Sequence, residues 1–174
     1  MTEVQTFRLS IPGPMLRRGF WLYVWRVTAA DDNELLDVGR TGDNSSLNAS
    51  PPYTRMGQHL GSIKNQNALR SHLIKSRVTP EECRKFDLIA HGPIYAEVVK
   101  PSYDRMDTVG RLALMQLHKP IGDVVGAMEK RLAKELSDAG YAVMNTVVWA
   151  HAVDDAEWLP IRRAFAEDFP GLKA

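Results

Sequence analysis

Three stretches of this chain carry side chains that could do chemistry. In Gly39-Arg40-Thr41-Gly42-Asp43 two glycines bracket a base and a hydroxyl, which gives a short polar turn backbone freedom at both ends. From Tyr53 to Arg77 the bases Arg55, Lys64, Arg70, Lys75 and Arg77, with His59 and His72, run without an acid among them. A solvated helix face usually interleaves both signs, so a face of one sign is suited to an anionic partner. The third is Glu129. Its neighbours one helical turn away are Val125, Gly126, Leu132 and Ala133, whereas Glu135 has Arg131 one turn back. A carboxylate at the margin of an apolar stripe needs a partner from elsewhere in the fold, a metal ion, or water at the rim. The plainer alternatives are a solvated basic face and a rim glutamate that reaches solvent. Tyr23, between Trp21 and Trp25, suits a core as well as a site. His72, His91, His118 and His151 show no metal-ligand spacing and read as structural.

These groups need elements to hold them. Phe20 to Arg26 is nearly apolar on both faces and rich in aromatic and β-branched residues, so it reads as a strand covered on both sides. Asp31-Asp32-Asn33 has turn chemistry, and Leu35 to Val38 returns as the second strand. Pro12-Gly13-Pro14 ends a short extended arm before this hairpin. Helices are expected from about Tyr53 and from Asn67 to Val78, with Gly61 and Ser62 between them. Thr79-Pro80-Glu81-Glu82 is a helix start. Ile94 to Val99 reads as the third strand. Ser102 caps a helix to about His118, with Met106, Val109, Leu112, Ala113 and Leu117 as its inner stripe. Pro120 breaks that helix, and a second continues from Ile121 to Ala139, ended by Gly140. Tyr141 to Trp149 is extended, and an amphipathic helix covers Asp154 to Phe169.

At 174 residues, 44% of them hydrophobic and 25% charged, the chain suits one globular domain with a single good core. A formal net charge of +1 neither demands nor excludes a nucleic acid. Cys83 is the single cysteine, which excludes an intrachain disulfide and a cysteine-only metal cluster. No secretory signal and no apolar run of the ~20 residues that span a bilayer are visible, so the expectation is a cytoplasmic protein away from membranes.

Taken in order, the pieces resemble the GIY-YIG nuclease family. Trp21-Leu22-Tyr23 stands at the family's first triplet and Asp37-Val38-Gly39 at its second, followed by Arg40-Thr41-Gly42-Asp43. Arg55 and His59 in TRMGQHL match its arginine helix, Glu129 in AMEKRLAKEL its glutamate, and Asn145 in GYAVMN its asparagine. The matching positions span Phe20 to Asn145.

The resemblance implies an α+β fold: a small antiparallel three-stranded sheet flanked by helices, with extra helices. It implies a core over 18–146 and a C-terminal helical extension over 147–174. It also implies a metal-dependent endonuclease hydrolysing DNA phosphodiester bonds, with RNA not set aside as a substrate. Tyr23 would be general base or water-positioning group, and Arg55 would bind the phosphate. His59 would assist Tyr23 or grip a phosphate, and Asn145 would order the site. Glu129 would hold one divalent metal, Mg²⁺, which takes few protein ligands. Arg40 and Thr41, with Lys64 and Arg70 of the basic run, would contact the nucleic acid. Asp37 departs from the family's second tyrosine and has no phenol to place a nucleophile. The alternative is therefore a catalytically inactive nucleic-acid-binding module, and a protein–protein scaffold using the tail helix ranks third.

Overall fold

The computed structural model describes residues 6–63, 67–99 and 108–173. Strand β1 (Phe20–Thr28) pairs antiparallel with β2 (Glu34–Arg40), and its other edge takes β3 (Lys85–Tyr95), giving the order β2-β1-β3. The hairpin turn is tied locally: Ala29 N–H donates to the Asn33 carbonyl at 2.9 Å, and the Asp31 carboxylate accepts from Asn33 N–H at 3.2 Å. Asp32 takes the left-handed backbone there, with φ 66. The register sets Tyr23 opposite Gly39 and Trp25 opposite Asp37.

The middle strand is apolar on both faces because it is covered on both. Phe20, Leu22 and Val24 join Leu36 and Val38 of β2 in one core. That core is completed by Val125, Met128, Leu132 and Leu136 of the long helix α3 (Thr108–Asp138) and by Trp158, Ile161 and Phe165 of α4 (Asp155–Phe165). Tyr23, Trp25 and Val27 face the other way, against Leu69 and Leu73 of α2 (Ala68–Lys75), with Met56 and Leu60 of α1 (Pro52–Leu60) at the margin. The period-two alternation of β1 thus sorts its side chains between two helical layers. The C-terminal helix is part of the first core rather than an appendage to it.

Four expectations change. The third strand is Lys85–Tyr95, so it begins nine residues before Ile94 and ends at Tyr95, short of Val99. It passes through Gly92-Pro93, where the pairing with β1 shifts register between Phe20 and Leu22. Proline is tolerated there because β3 is an edge strand and its missing N–H removes no ladder bond on the open side. Thr79-Pro80 opens only a 3₁₀ turn, Pro80–Glu82, before β3.

Pro120 does not end a helix; α3 runs through it. The bond that proline forfeits belongs to the Gln116 carbonyl, and Gln116 and Pro120 both lie on the exposed side, where water can replace it. An unbroken helix has one phase along its length. Gly122, Val125, Leu132 and Leu136 fix which side meets the sheet, and this carries Val109, Leu112, Ala113 and Leu117 outward, not inward as expected. Ser102 and Met106, named for the start of that helix, lie outside the described residues. Among the described residues, no helix is long and apolar enough to cross a membrane.

Candidate functional site

A cleft of about 250 Å³ opens at the β2 end of the sheet, where the two helical layers meet. Tyr23 from β1, Asp37 to Arg40 from β2, Arg55 and His59 from α1, His72 from α2, Glu129 from α3 and Asn145 from the following segment all line it, together with Asp43. The tyrosine, arginine, histidine, glutamate and asparagine singled out from sequence therefore share one wall-to-wall space.

Glycine at position 39 is required by the tyrosine. A Cβ there would stand 2.5 Å from the Tyr23 ring and 2.6 Å from its hydroxyl oxygen, so the phenol lies flat over bare backbone. The Tyr23 hydroxyl is 3.4 Å from His59 Nε2, and the two rings meet edge to face at 5.8 Å. Burial pushes the Tyr23 phenol far above its ordinary range; the positive charge of Arg55 offsets part of that, and Glu129 and Asp37 add to it. Burial also holds the His59 imidazole down to about 4, with Asp37 opposing and Arg55 and His72 adding to the fall. At neutral pH the pair is a protonated phenol beside a neutral imidazole.

Glu129 finds the partner its own helix lacks: Arg40 Nη1 donates to Glu129 Oε2 at 2.6 Å, both side chains being nearly enclosed. The guanidinium also lies over the Trp149 ring, 4.2 Å from its centroid, and Gly126 makes room for both. Burial raises Glu129 to about 7; Arg40 opposes this without cancelling it, and the negative charge of Asp37 adds to it. Arg55 Nη2 reaches Asp43 Oδ2 at 3.0 Å, while its Nε is buried with no hydrogen-bond partner among the described residues. Asp43 feels burial upward, but hydrogen bonds from Ser45 and Arg55 outweigh it and hold the carboxyl below its usual range.

The turn bearing Asp43 is pinned to α3. His118 Nε2 donates to the Asp43 carbonyl at 3.0 Å, and Asn44 Nδ2 donates to Asp123 Oδ1 at 2.8 Å. Asn145 is used up by backbone. Its Oδ1 accepts from Val38 N–H at 2.9 Å and its Nδ2 donates to the Val38 carbonyl at 2.7 Å. Beside it Leu36 N–H donates to the Ala142 carbonyl and Met144 N–H to the Leu36 carbonyl, so this segment extends the open edge of β2. Asn145 orders the site through β2 and does not present an amide to a substrate.

Of the residues expected to contact nucleic acid, Arg40 lines the cleft, and Thr41 and Arg70 do not. Thr41 is fully buried; its hydroxyl accepts from Trp21 N–H and donates to the Gly19 carbonyl, so it cannot reach a phosphate. Arg40 is only 8% exposed and committed to Glu129 and Trp149. Arg70 pairs with Glu81 across the α2–β3 connection. Lys64 lies outside the described residues. Part of the run from Tyr53 to Arg77, free of acid in sequence, meets acids in space: Asp43 beside Arg55, Asp37 beside His72 and Glu81 beside Arg70.

Sequence reasoning missed His72 and Asp43 as cleft residues. The signal for His72 was weak: a histidine on the second basic helix, 35 positions from its aspartate. The signal for Asp43 was present, since it closes the glycine-bracketed turn. Comparison with protein-family models, with curated proteins and with solved structures finds no match to this chain.

As to a metal, no group of three histidine, cysteine or acidic side chains that could hold one occurs among the described residues. Glu129 offers one oxygen, Oε1, beside the one taken by Arg40. A Mg²⁺ ion held by one carboxylate, water and a substrate phosphate fits that donor set; an all-protein cage does not.

Proposed function

We propose that this chain is a metal-dependent endonuclease of the GIY-YIG type, hydrolysing phosphodiester bonds in DNA through the Tyr23–Arg55–His59–Glu129 cleft. The observation that supports it is the meeting of these four residues, from three separate elements, in one cleft. Phosphodiester hydrolysis needs an oriented water, positive charge at the phosphate and help for the leaving oxygen. The protonated Tyr23 hydroxyl orients the water. Arg55, whose buried Nε lacks a partner among the described residues, binds a non-bridging phosphate oxygen. Arg40 holds the Glu129 carboxylate in place and balances part of its charge.

Asp37, Asp43 and Glu129 stand against two guanidiniums in the cleft, so a phosphate entering it needs further positive charge. Mg²⁺ on Glu129 would supply that charge when bound.

Plasmid DNA incubated with Mg²⁺ tests this. The parent is expected to nick or linearise it, and Glu129→Ala and Tyr23→Phe are each expected to lose about 10²-fold or more. Cutting undiminished in Glu129→Ala would overturn the assignment. A parent that binds DNA with salt-sensitive affinity and cuts under no divalent metal would instead be the silent binding module, which Asp37 in place of a phenol would explain.

A further inference from the structure

His72 has no part in the mechanism above, yet its setting is that of a catalytic base. It sits on α2 and lines the cleft with Tyr23, Arg55 and Glu129. Its Nδ1 lies 2.6 Å from Asp37 Oδ1, and the Asp37 side chain is 3% exposed against 25% for His72. A carboxylate accepts, so Nδ1 carries the proton, and the lone pair of the neutral ring is on Nε2. Nε2 has no hydrogen-bond partner among the described residues. A buried acid that fixes the tautomer, and a second ring nitrogen left free beside a cleft, are the geometric requirements for a general base.

The other cleft groups serve less well. The Tyr23 phenol holds its proton too tightly to act as a base near neutral pH. His59 is a weak base, and its Nδ1 is enclosed without a partner. Glu129 is bound to Arg40.

We propose that His72, positioned by Asp37, accepts the proton of the attacking water in this cleft; the assignment rests on the hydrolytic function proposed above. The water O–H bond breaks and its proton passes to His72 Nε2 as the oxygen bonds to phosphorus. The phosphorus–oxygen bond to the leaving sugar breaks, and that oxygen takes a proton from solvent water. The imidazolium then returns its proton to solvent, so one water is consumed and two strand ends are formed. Asp37 is thereby a positioning residue. The carboxylate at this place in β2 would orient a base on the neighbouring helix.

Single-turnover cleavage of plasmid DNA with Mg²⁺ distinguishes the outcomes. In His72→Gln an amide can still donate to Asp37 but cannot take a proton, so the fold is kept and the rate is expected to fall about 10²- to 10⁴-fold. Asp37→Asn keeps the shape but loses the tautomer control and is expected to fall comparably. Imidazole added to His72→Gly is expected to restore part of the rate, and added to Asp37→Asn to restore none. A parent that cuts while His72→Gln cuts within about threefold of it overturns the dyad and leaves the hydrolytic function standing. Absence of rescue in a folded His72→Gly, judged by circular dichroism, also overturns it. A parent that cuts nothing overturns the hydrolytic function, and the dyad with it.

Discussion

At the scale of single residues, the cleft sets two buried groups against each other as the pH changes. Glu129 folded releases its proton near 7, above the ordinary carboxyl range, so the native state binds more protons than the unfolded chain between about pH 4.5 and 7. Its contribution to stability therefore falls as pH rises through that window. His59 is displaced downward, to about 4, so the unfolded chain binds more protons between about 4 and 6.5, and its contribution falls as pH drops. In the parent the two slopes oppose each other from about pH 4.5 to 6.5. Urea unfolding across this range is expected to separate them. Glu129→Gln should lose stability on acidification more steeply than the parent, and His59→Gln should gain it, each change reaching at most about 1.4 kcal/mol per pH unit. Parallel curves for parent and both variants would show that neither group is perturbed.

The residues that carry chemistry were legible where their meaning is local. Tyr23 and Gly39 were legible as members of two triplets on neighbouring strands, but that the phenol lies over the bare backbone at 39 comes from the register of the folded hairpin. Glu129 was legible as a carboxylate lacking a helical partner, but not that Arg40 supplies it. Nothing in the local pattern of α2 tells whether His72 faces solvent or an aspartate on a strand 35 positions away. Thr41 was expected at the nucleic acid from the resemblance, and only the hydrogen bonds with Gly19 and Trp21 show its hydroxyl buried.

At the scale of elements, the hairpin and the two short helices were legible because periodicity, turn residues and glycine breaks agree there. Helix α3 was not, because Pro120 is a strong local stop whose cost depends on whether the freed carbonyl is wet. That cost can be measured. Pro120→Ala restores a donor to the Gln116 carbonyl and is expected to stabilise the protein by up to about 3 kcal/mol in chemical denaturation. A loss of stability would mean that the proline shapes α3 in a way its neighbours depend on. The third strand was mislocated for a similar reason. Gly92-Pro93 reads as an end, and only the edge position of β3 makes it tolerable.

At the scale of the whole molecule, a net charge of +1 goes with ion pairs formed within the chain. Arg40 and Arg70 are each held by a carboxylate of the same chain, and Arg55, the phosphate-binding arginine of the proposed site, is shared with Asp43. Under the proposed function, DNA affinity should therefore fall with salt less steeply than for a protein touching about 6–10 phosphates, a slope that a titration between 50 and 200 mM salt would read. A slope as steep as that would require basic residues other than these three to make the contacts.

The two-sided covering of β1 has one more consequence, for synthesis. The fully buried residues on the Tyr23 side of the sheet, from Tyr23 to Leu73, precede Val78 in the chain, whereas Glu129, Trp149 and the Asn145 clasp on β2 come after it. A ribosome that has released only the first half exposes a phenol, an arginine and two histidines, but Arg40 still lacks its carboxylate and β2 still has an open edge. The cleft is thus closed last, by segments that follow α2 in the chain. Truncated products of this gene would carry most of the reactive side chains and none of the finished site.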